Sequence, residues 1–297
     1  MYRLTTFLIF FTLLMVTQTQ GADMIKEPNV SGQFYDSDPK RLSDQVTNFI
    51  SQAAVQPFQQ NIDVIMVPHA GHVYSGPVAG YAYKAVSQRS YKTIILLGPT
   101  HYYNFDGVSI WPEGGFKTPL GTVSVDTEFA RGLMTANKNI QYLPQIFEVD
   151  HVLEVELPFL QTIFKDVKIV PMIMSRSNDR KTIEGIAETI YQQAKGRDDV
   201  LLLISSDLSH FHDENTAHSI DQQGLSAVQE MDVEKLWAGH EQGVMEIDGF
   251  KEVIIGVLYA QKRGNNKAEL LRYATSADVT GDRNRVVGYS AVVMYKK

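Results

Sequence analysis

Three apolar runs in this chain each stop at a loop that carries histidine: Ile62–His72 (IDVIMVPHAGH), Thr93–Tyr103 (TIILLGPTHYY) and Asp199–His212 (DVLLLISSDLSHFH). Continuous aliphatic runs bounded by Pro, Gly or Ser read as strands buried on both faces, the pattern of a parallel sheet. In an open sheet of that kind, ligands bind in the crevice beyond the carboxyl ends of the strands. The three loops would then deliver His69, His101 and the Asp207/His210 pair to one edge. Helical spacing fills the intervals: a helix from Pro39 with Leu42, Val46, Phe49 and Ile50 on one face, then Pro77–Val86, Asp126–Ala136, His151–Phe164, Asp179–Ala194, Thr216–Met231, Val233–Gln242 and Phe250–Arg263. Further strands are expected at Gly107–Trp111, Gly121–Val125, Val167–Met172, Glu269–Ala274 and Val286–Met294. Strands alternating with helices from end to end predict a single α/β domain with a largely parallel central sheet flanked by helices. No repeat or linker divides it.

Residues 1–22 stand apart from that pattern. Arg3 gives a basic start, Phe7–Val16 is almost wholly apolar, and small residues follow at Thr19, Gly21 and Ala22. This reads as a secretory signal peptide cut after Gly21 or Ala22, because the run is shorter than the twenty or so residues a membrane span needs. The expected mature domain covers residues 23–297, exported to the periplasm or outside the cell, without stable membrane insertion once the signal is removed. Lys and Arg number 27 against 34 Asp and Glu, with no basic stripe, which argues against a nucleic-acid partner. There is no cysteine, so no disulfide framework forms and any metal must be held by nitrogen and oxygen.

Convergent imidazole and carboxylate is the composition of a metal site or an acid–base site. One histidine at a strand end can simply cap the strand, but His69 and His101 hold the same position on two strands. Asp207 precedes His210 by three residues and could fix its tautomer, or cap a helix. Asp150, His151, Glu154 and Glu156 form an acidic patch in which a helix starting at His151 would place Glu154 on the same face. Glu156 would then be displaced around the helix, with solvated surface an equal reading for it and for Glu148. His72, His212, His218 and His240 have no partner pattern and read as structural or exposed. The closing TSADVTGDRNRVVG reads as a polar turn between two strands.

Taken in order, VPHAGHVYSG, GPTHYYNFDGVSI, DHVLEVELPFL, SSDLSHF and YATSADVTGDRNRVVGYSAV resemble the Memo family, which bacterial naming calls AmmeMemoRadiSam system protein B. The likeness runs from about Val30 to the C-terminus. It implies a fold shared with the class III extradiol ring-cleaving dioxygenases, with His69 and His101 as metal ligands and His210 as the acid–base histidine. Asp207 and His151 would complete the pocket. Members of the family usually carry a cysteine before the last long helix, and here Asp248 stands in that place. Asp248 is either the third ligand or only a helix N-cap. Two histidines and a carboxylate make the facial triad of non-haem iron(II) oxygenases, so iron(II) is the expected divalent ion, ahead of zinc(II) or copper. The implied function is a non-haem, dioxygenase-like oxidoreductase. The alternative is a non-catalytic module that binds a metal or a peptide; in either case a small-molecule or peptide ligand would occupy the crevice.

Overall fold

The computed structural model describes residues 24–56 and 58–297; the expected signal peptide lies outside the described residues. In chain order the strands are β1 (Ile25–Lys26), β2 (Ile62–Val67), β3 (Thr93–Pro99), β4 (Val108–Ile110), β5 (Gly115–Thr118), β6 (Gly121–Ser124), β7 (Ile140–Gln141), β8 (Lys168–Met174), β9 (Val200–Ser205), β10 (His210–His212), β11 (Lys267–Thr275) and β12 (Val286–Tyr295). The helices are α1 (Pro39–Gln52), α2 (His72–Val86), α3 (Thr127–Ala136), α4 (Pro144–Phe147), α5 (Leu157–Ile163), α6 (Arg180–Ala194), α7 (Glu214–Gln229), α8 (Val233–Glu241), α9 (Phe250–Lys262) and α10 (Ala277–Thr280).

The main sheet runs β10-β12-β2-β9-β3-β8-β4-β7, with β11 also on β12. Its centre, β2-β9-β3-β8, is parallel throughout. These strands are buried almost residue for residue, which is why they read as unbroken apolar runs rather than alternating ones. The two borders are antiparallel: β12 on β2, and β4 on β8. A small second sheet, β1-β5-β6, sits outside it. Helices flank the main sheet around one continuous hydrophobic core, so the chain is a single α/β domain. Among the described residues no helix is long and apolar enough to cross a membrane.

Three local expectations change. The second helix begins at His72, not Pro77, and Pro77 lies inside it. The helix packs tightly on α1: a Cβ at Gly76 would fall 2.4 Å from the Phe49 ring, and one at Gly80 would fall 2.5 Å from the Phe49 carbonyl. Residues 151–164 do not form one helix; a 3-10 turn at Glu154–Glu156 precedes α5, which starts with Pro158 in its first turn. The segment around His210 is a short edge strand with a bulge against β12, and Phe211 holds a φ of 65° there. Such left-handed backbone is strained for a bulky residue, and bulges of this kind re-aim side chains near functional sites.

Candidate metal centre

The parallel core decides where the chemistry gathers. β2 ends at Val67 and β3 at Pro99, so the next residues, Pro68-His69 and Thr100-His101, emerge at the same edge. The rings of His69 and His101 lie with centroids 5.4 Å apart. Asp248 arrives from the turn before α9. Its backbone N–H donates to the Asp207 carbonyl (3.1 Å), and the Gly249 N–H donates to Ser206 Oγ (2.8 Å). That docking needs glycine, since a Cβ at position 249 would meet Ser206 Cβ at 2.9 Å.

Asp248 is not a helix cap. Gly249 is the N-cap of α9, and no side chain caps the helix. Asp248 Oδ2 instead faces His69 Nε2 at 3.2 Å and His101 Nε2 at 3.4 Å. All three potential ligand atoms fall within 4.8 Å of one another. Two donors about 2.1 Å from one ion at a tetrahedral angle sit roughly 3.4 Å apart, so the spacing fits a shared cation. His69 Nε2 and Asp248 Oδ2 are also buried with no well-directed hydrogen bond among the described residues. Buried polar atoms are rarely left so unless an ion or water takes them.

The surroundings aim both imidazoles. His69 Nδ1 lies 3.0 Å from Ser205 Oγ, whose own proton goes to the Val152 carbonyl at 2.6 Å. Ser205 therefore accepts from Nδ1–H, which leaves Nε2 as the open lone pair. Asp150 performs the same task for His101, 3.0 Å from its Nδ1, and also accepts the His101 backbone N–H at 2.8 Å. Burial opposes charge on His101, but the Asp150 hydrogen bond and the Asp248 carboxylate outweigh it and lift the imidazole to about 10. For Asp248, burial is likewise outweighed by the two histidines, and its carboxyl is held far below the usual range. Before an ion binds, protons thus occupy the place a cation would take, and an incoming ion must displace them.

His151 stacks on His101 with ring centroids 5.0 Å apart and an interplanar angle of 3°. Burial, then the charges of His69 and His101, push it down to about 3, so it stays neutral. Asp207 differs from expectation. Its carboxylate accepts the His69 backbone N–H (2.8 Å) rather than the His210 ring, and His210 Nδ1 is fixed by the Leu208 carbonyl at 2.9 Å. A backbone carbonyl two residues back is the nearer partner in that tight loop. His210 lines a cavity that also touches Asp248, but it is not among the groups whose ligand atoms cluster.

The acidic patch also reverses. Glu154 turns away from the site and anchors the N-terminal loop through the Asn29 and Val30 N–H groups and the Tyr35 hydroxyl. Glu156, for which the sequence allows solvated surface as an equal reading, is 1% exposed and lies beneath the site against Ser205 and Tyr83. The 3-10 turn, with three residues per turn, rotates the two side chains relative to an α-helix. Arg176, which the sequence reading passed over, donates to Asp248 Oδ1 at 2.7 Å. It follows the carboxyl end of β8, so the rule that found His69 and His101 would have found it. His72 is structural, buried and bonded to the Val155 carbonyl at 2.7 Å.

Comparison with known proteins identifies the family. The family described as Memo-like protein matches residues 26–293. Relatives include a MEMO1 family protein of Sulfolobus acidocaldarius, 37% identical over 283 residues, covering 91% of this chain and 99% of that protein. One from Nitrosopumilus maritimus is 35% identical over 274 residues with the same coverage, and one from Saccharolobus solfataricus is 33% identical over 281 residues, 90% of this chain and 98% of that one. A match along almost the whole domain, in both directions, is what places this chain in the Memo family.

Proposed function

We propose that this Memo-family protein holds one divalent metal ion on His69, His101 and Asp248 and uses it in non-haem, dioxygenase-like oxidoreductase chemistry, with iron(II) as the first choice of metal. The observation that carries the reading is the pair His69 Nε2 and Asp248 Oδ2, buried without a well-directed hydrogen bond among the described residues and facing each other at a ligand-to-ligand distance. Two imidazoles and one carboxylate favour iron(II), and when bound the ion supplies Lewis acidity with open positions for oxygen, water or substrate. The protein's own groups divide the remaining work. Ser205 and Asp150 orient the two imidazoles, and Asp207 pins the His69 backbone. His210, with Nδ1 tied to the Leu208 carbonyl and Nε2 facing the cavity side of the site, is the group placed to accept or return a proton. His151, pushed down to about 3, stays neutral and helps shape the pocket beside His101.

Anaerobic titration with iron(II) and zinc(II) tests the metal reading. One ion per chain is expected, with affinity falling as pH is lowered from about 8 to 5, since protons compete for the two imidazoles while the Asp248 carboxyl stays ionised. Absence of stoichiometric binding by iron, zinc or copper overturns it. Nitric oxide, an oxygen surrogate, then separates chemistry from storage. A nitrosyl signal from the iron(II) form supports open positions for oxygen, and a bound ion that never accepts nitric oxide reduces the protein to a metal-holding module.

Export belongs to the same proposal, on the strength of the basic and apolar pattern of residues 1–22. N-terminal sequencing of the mature protein should begin near Ala22 or Asp23. A retained Met1 would overturn it.

A further inference from the structure

A cavity of about 400 Å³ opens beside Asp248, between the loop after β8, the start of β10 and the segment leading into α9. That is room for a small molecule. Part of its lining is apolar, from Leu208, Met245, Ile247 and Phe250. The His240 ring extends this surface by stacking on Phe250 at 4.0 Å and 11°. The rest is polar, and nearly all of its charge is already committed. Asp248 faces the two imidazoles and Arg176, while Glu246 takes the His212 ring at 3.0 Å. The Lys251 ammonium donates to the carbonyls of Arg176 and Asn178. Burial, with the Asp248 charge adding to it, pushes Glu252 up to about 8 and keeps it neutral.

Arg176 is the exception. Only its Nη2 has a partner among the described residues, and the side chain is half exposed toward the cavity. Its remaining N–H groups form a fork suited to a carboxylate. A divalent ion on two neutral imidazoles and one carboxylate would add a net positive charge next to that fork.

We propose that this cavity is the substrate site and takes a small carboxylate with a flat apolar body, its charge received by Arg176 and its body laid along the His240 ring, which Phe250 backs from behind. The assignment rests on the metal-centre reading for the position of the reacting end, and on the cavity alone for the ligand's chemistry. His210 Nε2, free because Nδ1 is tied to the Leu208 carbonyl, borders the same space.

Isothermal titration of the zinc-loaded protein with phenylacetate, and with phenylacetamide as the same body without charge, tests it. Phenylacetate should bind about tenfold tighter, the worth of a charge-assisted hydrogen bond. Arg176→Gln should erase that preference. His240→Ala, at an exposed ring, should weaken both probes a few-fold and leave zinc affinity unchanged. Equal affinity for the two probes, or a preference that survives Arg176→Gln, overturns the proposal while the metal reading stands. If zinc does not bind, the same comparison is made on the metal-free protein: an Arg176-dependent preference there upholds the carboxylate site, and its absence overturns it. A phenylalanine-terminated peptide that binds far more tightly than phenylacetate would replace the small molecule with a peptide terminus.

Discussion

Asp248→Ala lowers affinity for iron(II) or zinc(II) by about 100-fold or more, and it also destabilises the metal-free protein near neutral pH. The first half follows because Asp248 supplies the one anionic donor of the three, and loss of even an indirect supporting group typically costs 10–100-fold. The second half follows because the two histidines hold the Asp248 carboxyl far below its ordinary 3.8, so the ionised carboxylate stabilises the fold above that pH and its loss leaves the imidazoles without their counter-charge. Asp248→Cys should restore binding with a preference moved toward zinc(II) and copper(I), because thiolate is the softer donor. Titration of the three proteins side by side decides the matter. An alanine variant that binds like the parent removes Asp248 from the metal centre.

Glu156→Gln stabilises the protein at pH 8 and has little effect at pH 5. Burial raises the Glu156 carboxyl to about 8, with the Tyr83 hydrogen bond and the His69 charge opposing it only in part. In the unfolded chain the same group ionises near its ordinary 4.5. Between those values the unfolded state has released its proton and the folded state still holds it, so stability declines as pH rises from about 4.5 to 8 and then levels off. The accumulated loss is on the order of a few kcal/mol, and glutamine does not incur it. Glutamine also keeps the geometry, because its carbonyl can accept from Tyr83 and its amide can donate to Ser205. Glu156→Leu should instead destabilise at every pH by leaving the Tyr83 hydroxyl buried without an acceptor, about 1–3 kcal/mol. Chemical denaturation of the three proteins at pH 5, 6.5 and 8 is the measurement. A Gln-to-Glu stability difference that is flat with pH would show that the carboxyl is not protonated in the fold.

The parallel core was legible because its strands are buried on both faces and so leave an unmistakable apolar run. The same runs located His69 and His101, whose placement requires nothing beyond the direction of two neighbouring strands. Asp248 was visible only through family likeness, since a carboxylate before a helix has a commonplace alternative, and the geometry was needed to remove it. What sequence could not supply was rotation about the chain. Whether Glu154 or Glu156 faces the site depends on a 3-10 turn where an α-helix was equally plausible, and whether Asp207 serves a ring or a backbone N–H depends on ångström-scale loop geometry. β5, short and paired to a two-residue strand from the N-terminal loop, has too little sequence to show a period.

The donors at the sheet edge come from loops scattered along most of the chain, and only the completed fold gathers them. An unfolded chain offers an ion three isolated side chains and almost no affinity. By mass action, a free ion at a thousand times its dissociation constant would therefore deepen the native well by about 4 kcal/mol. Proteases act on the opened chain, so the same ion would lengthen the protein's lifetime. Scarcity of metal would then be felt first as scarcity of the protein itself.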